Sequence, residues 1–308
     1  MSTPERVAAI DIGTNTVLLL IAEHSAAGPV AIEERATITR LGQGVDRTQQ
    51  LAPDASARTL ACLSEYASVI RNARVSRLSV VGTSALRDAA GAQDFLQSAE
   101  RLLGSTPRVI GGEEEAELSF IGTLSGLAIE GPVTVFDIGG GSTEIIFGHA
   151  GTSQAVESAI SLNLGSVRLH ERHLHDDPPA PEQLARVRED VKAALAQLPA
   201  SERRRVVGVA GTLTTLAAIE AELEPYDGAR VHGSMLATSA VRALVQRLAA
   251  LSSTARRSLR GLEEKRADVI VAGAVIAAEV LDWCGAEELV VSDRGVRWGL
   301  AQRLLSPQ

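Results

Sequence analysis

Cysteine, lysine and aromatic residues are scarce in this 308-residue chain. The two cysteines, Cys62 and Cys284, stand far apart and in no C-x-x-C pattern, which excludes a disulfide framework and a cysteine-ligated metal. Aromatic residues make up 3% of the chain, so a core must be built from Ala, Val, Leu and Ile. No apolar run approaches the ~18 residues that cross a bilayer; the longest are residues 17–22 and 270–278. The start, MSTPER, lacks the apolar stretch of a signal peptide. A cytoplasmic protein with no membrane partner is the expectation.

Lysine is confined to Lys192 and Lys265, so nearly all of the 30 basic residues are arginine, and 38 acidic residues leave a net charge of −8. That balance works against affinity for nucleic acid, and a polyanion would have to be held locally. Arginine suits the task because its planar fork grips two phosphate oxygens at once, although a chain this rich in Arg and Ala also reflects base composition. Hydrophobic residues at 45% and charged residues at 22% describe a globular chain. Its length is about twice the ~100–150 residues of a common domain, so two domains are expected.

An internal echo supports that division. Residues 7–23, VAAIDIGTNTVLLLIAE, overlay residues 133–149, VTVFDIGGGSTEIIFGH, with Asp11 on Asp137 and Gly13 on Gly139. Each copy reads as a strand ending in Asp, a turn of small residues and a second apolar strand, which is a hairpin pattern. Helices are predicted over 53–73 and 92–103 and opening at Glu113, with a strand at 78–81 between the first two. The prolines of HDDPPAPE at 175–182 mark a surface loop, followed by an amphipathic helix carrying Leu184, Val187, Val191, Leu195 and Leu198. A strand over 205–210 runs into Gly211, and 267–283 is apolar almost all round, as a central buried helix would be. Sheet against helix is the layer arrangement this order predicts.

The two DIG turns carry the chemistry. Glycine lets backbone N–H groups approach phosphate oxygens, so Gly13, Thr14, Asn15 and Thr16, and Gly139, Gly140, Gly141, Ser142 and Thr143, are candidate phosphate-binding residues. Asp11, Asp137 and Glu144 sit at the strand ends as candidate metal ligands, directly or through water. A third turn, VAGTLTTLAA, places Gly211 and Thr212 where a strand meets a helix at about Thr212. The alternative for each turn is an ordinary connection with capping hydroxyls. The acidic run Glu113, Glu114 and Glu115 either complements a helix dipole or supplies a base. His170, His173, His175, Asp176 and Asp177 match no zinc spacing and read as a solvated helix end; Arg203 to Arg205 read as a solvated strand entrance, and Cys62, in register with Tyr66 and Val69, as core.

The order of these motifs resembles the sugar kinase, heat-shock chaperone and actin superfamily, and more closely the exopolyphosphatase and guanosine pentaphosphate phosphatase (Ppx/GppA) family. Besides the DIG turns, the resemblance rests on GTSALRDA at 82–89, GGEEEAEL at 111–118 and SLNLGSVRL at 161–169. ERHLHDDPP, GVAGTLTTLAA, RADVIVAGA and VSDRGVRWGL complete it. It implies an α/β fold of two duplicated ribonuclease-H-like (actin-like ATPase) domains around a central cleft, residues 1–123 joined by a C-terminal helix at 298–308, and residues 124–297. No long C-terminal helical domain of the larger members is expected.

By the same resemblance the protein is an exopolyphosphatase, dependent on Mg²⁺ or alternatively Mn²⁺, with short inorganic polyphosphate favoured and guanosine pentaphosphate as the alternative substrate. A homodimer is what the family suggests. An ATP-dependent kinase would need an acceptor-site base and an adenine pocket, neither identified here; an actin-like binding protein is the third alternative. Laying the family's G-x-E-E-A on residues 112–116 puts the catalytic carboxylate at Glu114, with Glu115 the alternative, each able to orient and deprotonate water. Arg87 is the expected phosphate-gripping arginine, and Arg40, Arg168 and Arg297 are lesser candidates. Trp298 stands where the family often has Glu, and Ala90-Gly91 follow Asp88 where many members have Asn close by.

Overall fold

A computed structural model describes residues 5–25, 28–151, 155–198 and 204–306. The chain forms two compact units, Met1–Ser125 with Gly295–Gln308, and Gly126–Arg294.

In the first unit β1 (Arg6–Ile12), β2 (Thr16–Ser25) and β3 (Gly28–Ile38) form an antiparallel meander. Helices α1 (Val45–Thr48) and α2 (Pro53–Asn72) lead to β4 (Arg77–Gly82), α3 (Ser84–Asp88) and α4 (Ala92–Leu103) lead to β5 (Arg108–Val109), and α5 (Gly112–Leu124) follows. The sheet order is β3-β2-β1-β4-β5, with β1, β4 and β5 parallel.

The second unit repeats the plan. Strands β6 (Gly131–Ile138), β7 (Thr143–Ala150) and β8 (Ala155–Leu162) form the meander, and α6 (Ser166–His173) and α7 (Pro181–Leu195) precede β9 (Arg205–Val209). Then come α8 (Ala210–Glu220), α9 (Gly228–Val231), β10 (Ser234–Ala237), α10 (Thr238–Ala249), α11 (Ser253–Arg256), α12 (Ile270–Cys284) and β11 (Glu288–Val291). The order β10-β11-β9-β6-β7-β8 matches the first sheet, with β10 added antiparallel at one edge. Both units therefore have ribonuclease-H-like topology, and the echoed segments are their equivalent first hairpins. The final helix, α13 (Val296–Leu305), belongs to the first unit. It starts two residues before the expected 298, directly after Gly295; the expected end at 307–308 lies outside the described residues.

Strand alternation sorts the core of the first unit. Ala8, Ile10 and Ile12 of β1 pack with α2 and α4, while Val7 and Ala9 pack with Leu118 of α5 and with Val296, Trp298 and Leu300 of α13. Because side chains alternate along a strand, Asp11 belongs to the second series, on the α5 side. Pro53 presets the first turn of α2, whose buried face includes Thr59, Cys62, Leu63, Tyr66 and Ile70. Cys62 is core, as its register predicted. In the second unit residues 270–281 of α12 are all buried, and α12 ends at Gly285 in the left-handed conformation, φ 60°.

Several local expectations need correction. Pro181 opens α7, so the proline loop stops at Ala180. Its Asp177 is exposed, as a solvated helix end predicts, and its carboxylate also accepts the Ser253 N–H at 2.7 and 2.9 Å and Arg256 Nη2 at 3.0 Å. His173 lies 2.7 Å from Asp190. Arg204 is not a solvated strand entrance, because it pairs with Glu157 at 2.7 Å and lies 5.6 Å over the Phe147 ring; Arg203 lies outside the described residues. No helix among the described residues is long and apolar enough to cross a membrane.

Helices α5 and α13 meet through reciprocal glycines. A methyl group on Gly122 would lie 2.0 Å from the Gly295 carbonyl oxygen, and one on Gly299 would lie 2.1 Å from that of Leu118. Such an overlap with backbone forces the helices apart, at a typical overpacking cost of ~1–3 kcal/mol. Gly299→Ala is accordingly expected to lower the urea midpoint, although the same change in an isolated helix favours helix formation by roughly 1 kcal/mol. An unchanged midpoint would show that the crossing tolerates separation.

Candidate active site

In the first unit β1 and β4 end together, Ile12 in register with Gly82, and the Thr83 N–H donates to the Ile12 carbonyl at 3.3 Å. The DIGTNT turn and the start of α3 thus share the carboxyl ends of parallel strands, where α/β sheets hold ligands. Gly13 N–H closes the turn on the Thr16 carbonyl at 3.1 Å. The segment after β3 then folds back: Gly42 N–H donates to Thr14 O at 2.8 Å, and Thr39 and Arg40 N–H donate to Asn15 O at 3.1 and 3.0 Å. Gly42 is required there, since a methyl group on it would lie 2.3 Å from Thr14 Cγ2. Arg40 adopts φ 56°, a conformation that costs a non-glycine residue on the order of 1–3 kcal/mol. The N–H groups of Thr14 and Asn15 donate to no other described residue. The Asn15 side chain is 6% exposed and neither of its polar atoms has a partner among the described residues.

The acidic run opens α5, whose N-cap is Gly111, and the helical turn sends its members in different directions. Glu113 is exposed. Glu114 points to the surface, with Arg108 Nη2 at 2.9 Å and Arg303 Nη1 at 3.5 Å. Glu115 is 7% exposed and bound by Arg87 Nη1 at 2.5 Å; the same nitrogen donates to the Ile110 carbonyl at 3.0 Å. Nε and Nη2 of Arg87 have no partner among the described residues, so the arginine that holds Glu115 keeps donors for an anion. Motif alignment favoured Glu114; burial and fixation favour Glu115. Arg297 is 8% exposed and pairs with Glu34 of β3 at 2.8 Å, and the Trp298 indole N–H donates to the same carboxylate at 3.2 Å.

In the second unit Asp137 and Glu144 are directly opposed across β6 and β7, hence on one face of the sheet, and are 8% and 1% exposed. Two ionised carboxylates at the ~5 Å of such a pair repel by roughly 3 kcal/mol at an effective dielectric of about 20. The Ser161 hydroxyl donates to Glu144 at 2.7 Å. Asp11 stands alone in the first unit as a candidate ligand, and no group of three or more His, Cys, Asp or Glu forms among the described residues. A pair of carboxylates does fit Mg²⁺, which usually keeps several waters and takes one or two carboxylates besides phosphate oxygens.

The DIGGGST turn is organised by α6. Gly139 N–H closes it on the Ser142 carbonyl at 3.0 Å; Ser166 N–H then donates to Gly139 O at 3.0 Å, and Val167 and Arg168 N–H donate to Gly140 O at 2.9 and 3.1 Å. Gly165 permits this approach, as a methyl group on it would lie 2.2 Å from Gly140 O. Nε of Arg168 takes the Gly141 carbonyl at 2.7 Å. With all three glycine carbonyls engaged, the N–H groups of Gly140, Gly141 and Ser142 donate to no described residue. Successive free N–H groups make an anion-binding concavity. Thr143 is not part of it, because its buried hydroxyl donates to the Leu164 carbonyl at 2.6 Å.

The third turn starts its helix earlier than expected, at Ala210 rather than about Thr212, with Ala210 at φ 72°. Thr212 is 5% exposed and packs where a methyl group on Gly273 would lie 2.7 Å from its Cγ2 and 3.3 Å from Ser166 Cβ, so the third turn and α6 meet on α12. Sequence reasoning assigned no role to Arg266, yet its guanidinium covers Gly211: a methyl group there would lie 2.0 Å from Nη1. Its position immediately before the apolar run of α12, in a chain with a glycine at the facing turn, was the available signal.

Comparison with known proteins agrees with this architecture. Exopolyphosphatase 2 of Mycobacterium tuberculosis is 39% identical, over 97% of this chain and 98% of that one. A solved exopolyphosphatase-like protein superposes with a TM-score of 0.91 at 35% identity, over 98% of this chain and 99% of that one. The Aquifex aeolicus member of the Ppx/GppA family superposes with a TM-score of 0.82 at 36% identity, over 98% of each chain. Residues 20–307 match the Ppx/GppA phosphatase family, and the chain belongs to it.

Proposed function

We propose that this protein is an exopolyphosphatase that hydrolyses the terminal phosphoanhydride of inorganic polyphosphate and releases orthophosphate, in the cytoplasm and with Mg²⁺. The observation that carries the reading is the DIGGGST turn, whose three N–H groups donate to no described residue, next in sequence to the opposed carboxylates Asp137 and Glu144. Full-length similarity to an exopolyphosphatase supports the choice of phosphoanhydride. Guanosine pentaphosphate, the alternative substrate, ends in the same bond. Orthophosphate release from tripolyphosphate, long polyphosphate, guanosine pentaphosphate and ATP tests the assignment. Polyphosphate, short chains foremost, is expected to be cleaved fastest, and a strong preference for ATP would overturn the reading.

Within the first unit Glu115 is the group that orients water and accepts its proton, and Arg87 fixes the direction of its carboxylate. Backbone donors of the glycine turns bind phosphate oxygens without side-chain reorganisation. Asp137 and Glu144 would hold Mg²⁺, which when bound neutralises charge on the phosphate oxygens.

Glu115→Gln is expected to lower kcat by ~10²–10⁴-fold, the usual worth of general-base catalysis. Glu114→Gln loses only surface pairs, worth ~0–1 kcal/mol of stability, and should retain turnover. A Glu114→Gln variant as inactive as Glu115→Gln would return the role to Glu114. Asp137→Asn and Glu144→Gln should each shift the Mg²⁺ titration of activity to higher concentration; a variant that keeps the wild-type curve removes its residue from the ion's ligands. Asp11→Asn, measured in the same titration, decides whether the first unit contributes a ligand.

A further inference from the structure

The SLNLGSVRL motif contains an arginine that the proposed chemistry has not used. Its meaning emerges when the two DIG turns are compared position by position. In both, the segment after the third strand returns to take up the turn's carbonyls. In the first unit backbone does this at Asn15, whose O accepts from the N–H groups of Thr39 and Arg40. At the equivalent position of the second unit, Gly141 O accepts from a side chain, Nε of Arg168 at 2.7 Å. Backbone donors of α6 serve Gly139 and Gly140, and Gly141 is the carbonyl left to Arg168.

That difference matters because the peptide unit is planar and trans. The N–H of Ser142 points opposite to the carbonyl of Gly141, so whatever holds the carbonyl aims the N–H. Glycine at 141 gives the peptide little resistance of its own to rotation. A rotated peptide would replace an outward donor with an outward carbonyl, which repels phosphate.

We propose that Arg168 is a positioning residue for substrate phosphate: it holds the Gly141 carbonyl on the α6 side and so keeps the Ser142 N–H facing the anion. This rests on reading residues 139–142 as the phosphate cradle of a polyphosphatase. It gives Arg168 a geometric role, in contrast to a channel cation that attracts the chain by charge.

Lysine distinguishes the two, because Arg168→Lys keeps the charge and stem length but puts a carbon where arginine has Nε. Steady-state release of orthophosphate from tripolyphosphate would be measured for wild type, Arg168→Lys, Arg168→Ala and the control Arg172→Ala, whose arginine lies on the same helix as Arg168 and pairs with Asp190 of α7. Both Arg168 variants are expected to raise KM about tenfold with kcat within threefold, and the control to match wild type. A wild-type KM in Arg168→Lys assigns the role to charge and overturns the proposal, as does a fall in kcat at unchanged KM, the mark of a merely structural residue. Should Arg168→Ala fail to fold, Arg168→Lys alone decides. If wild type cleaves no polyphosphate, the proposed function fails separately. Calorimetric titration with tripolyphosphate then decides the positioning role: weaker binding by Arg168→Lys supports it and equal binding rejects it.

Discussion

A carbonyl oxygen that faces a phosphate repels it, and a tight turn of small residues has no secondary structure of its own to absorb its carbonyls. Both halves of this protein solve the problem in the same way. The chain leaves the hairpin, runs the third strand and comes back to donate to the turn, through Thr39, Arg40 and Gly42 in one half and through Ser166, Val167 and Arg168 in the other. Much of the local design follows from that return path. Gly42 and Gly165 are needed for close approach, Arg40 accepts an unfavourable backbone conformation, and α6 spends its first N–H groups on the turn rather than on a ligand.

The hairpins were legible in the sequence because they combine three signals within a few residues: β-branched alternation, a terminal Asp and glycine. The helix over 92–103 was equally plain, bounded by Gly91 and Gly104, both in the left-handed conformation. Long-range partners were not legible. Glu114 and Glu115 are chemically identical neighbours, and what separates them is Arg303, far along the chain, against Arg87. No local pattern encodes which arginine each will meet. The contact of Trp298 with Glu34 of β3 was hidden for the same reason, since the two lie at opposite ends of the sequence.

Hydrogen-bond partners sorted side chains that residue type could not. Thr143 and Ser142 are adjacent hydroxyls in one motif, but the strand carries Thr143 inward to a backbone carbonyl and leaves Ser142 in the turn. Arg204, expected as a solvated charge, packs over the Phe147 ring, whereas Asp177 stays exposed while its carboxylate accepts the Ser253 N–H.

The discontinuous first unit has a consequence for biogenesis. Its α13 contributes Val296, Trp298, Leu300 and Ala301 to a core whose other members include Val7, Ala9, Leu20 and Leu118. During synthesis those early residues are made long before the helix that covers them, whereas residues 126–294 are contiguous and can collapse as soon as they emerge. Domains fold largely as units during translation, so the half synthesised second is the half that matures first. Until α13 arrives, the nascent first half has only part of the cover of that sheet face, from Ile110 and Leu118.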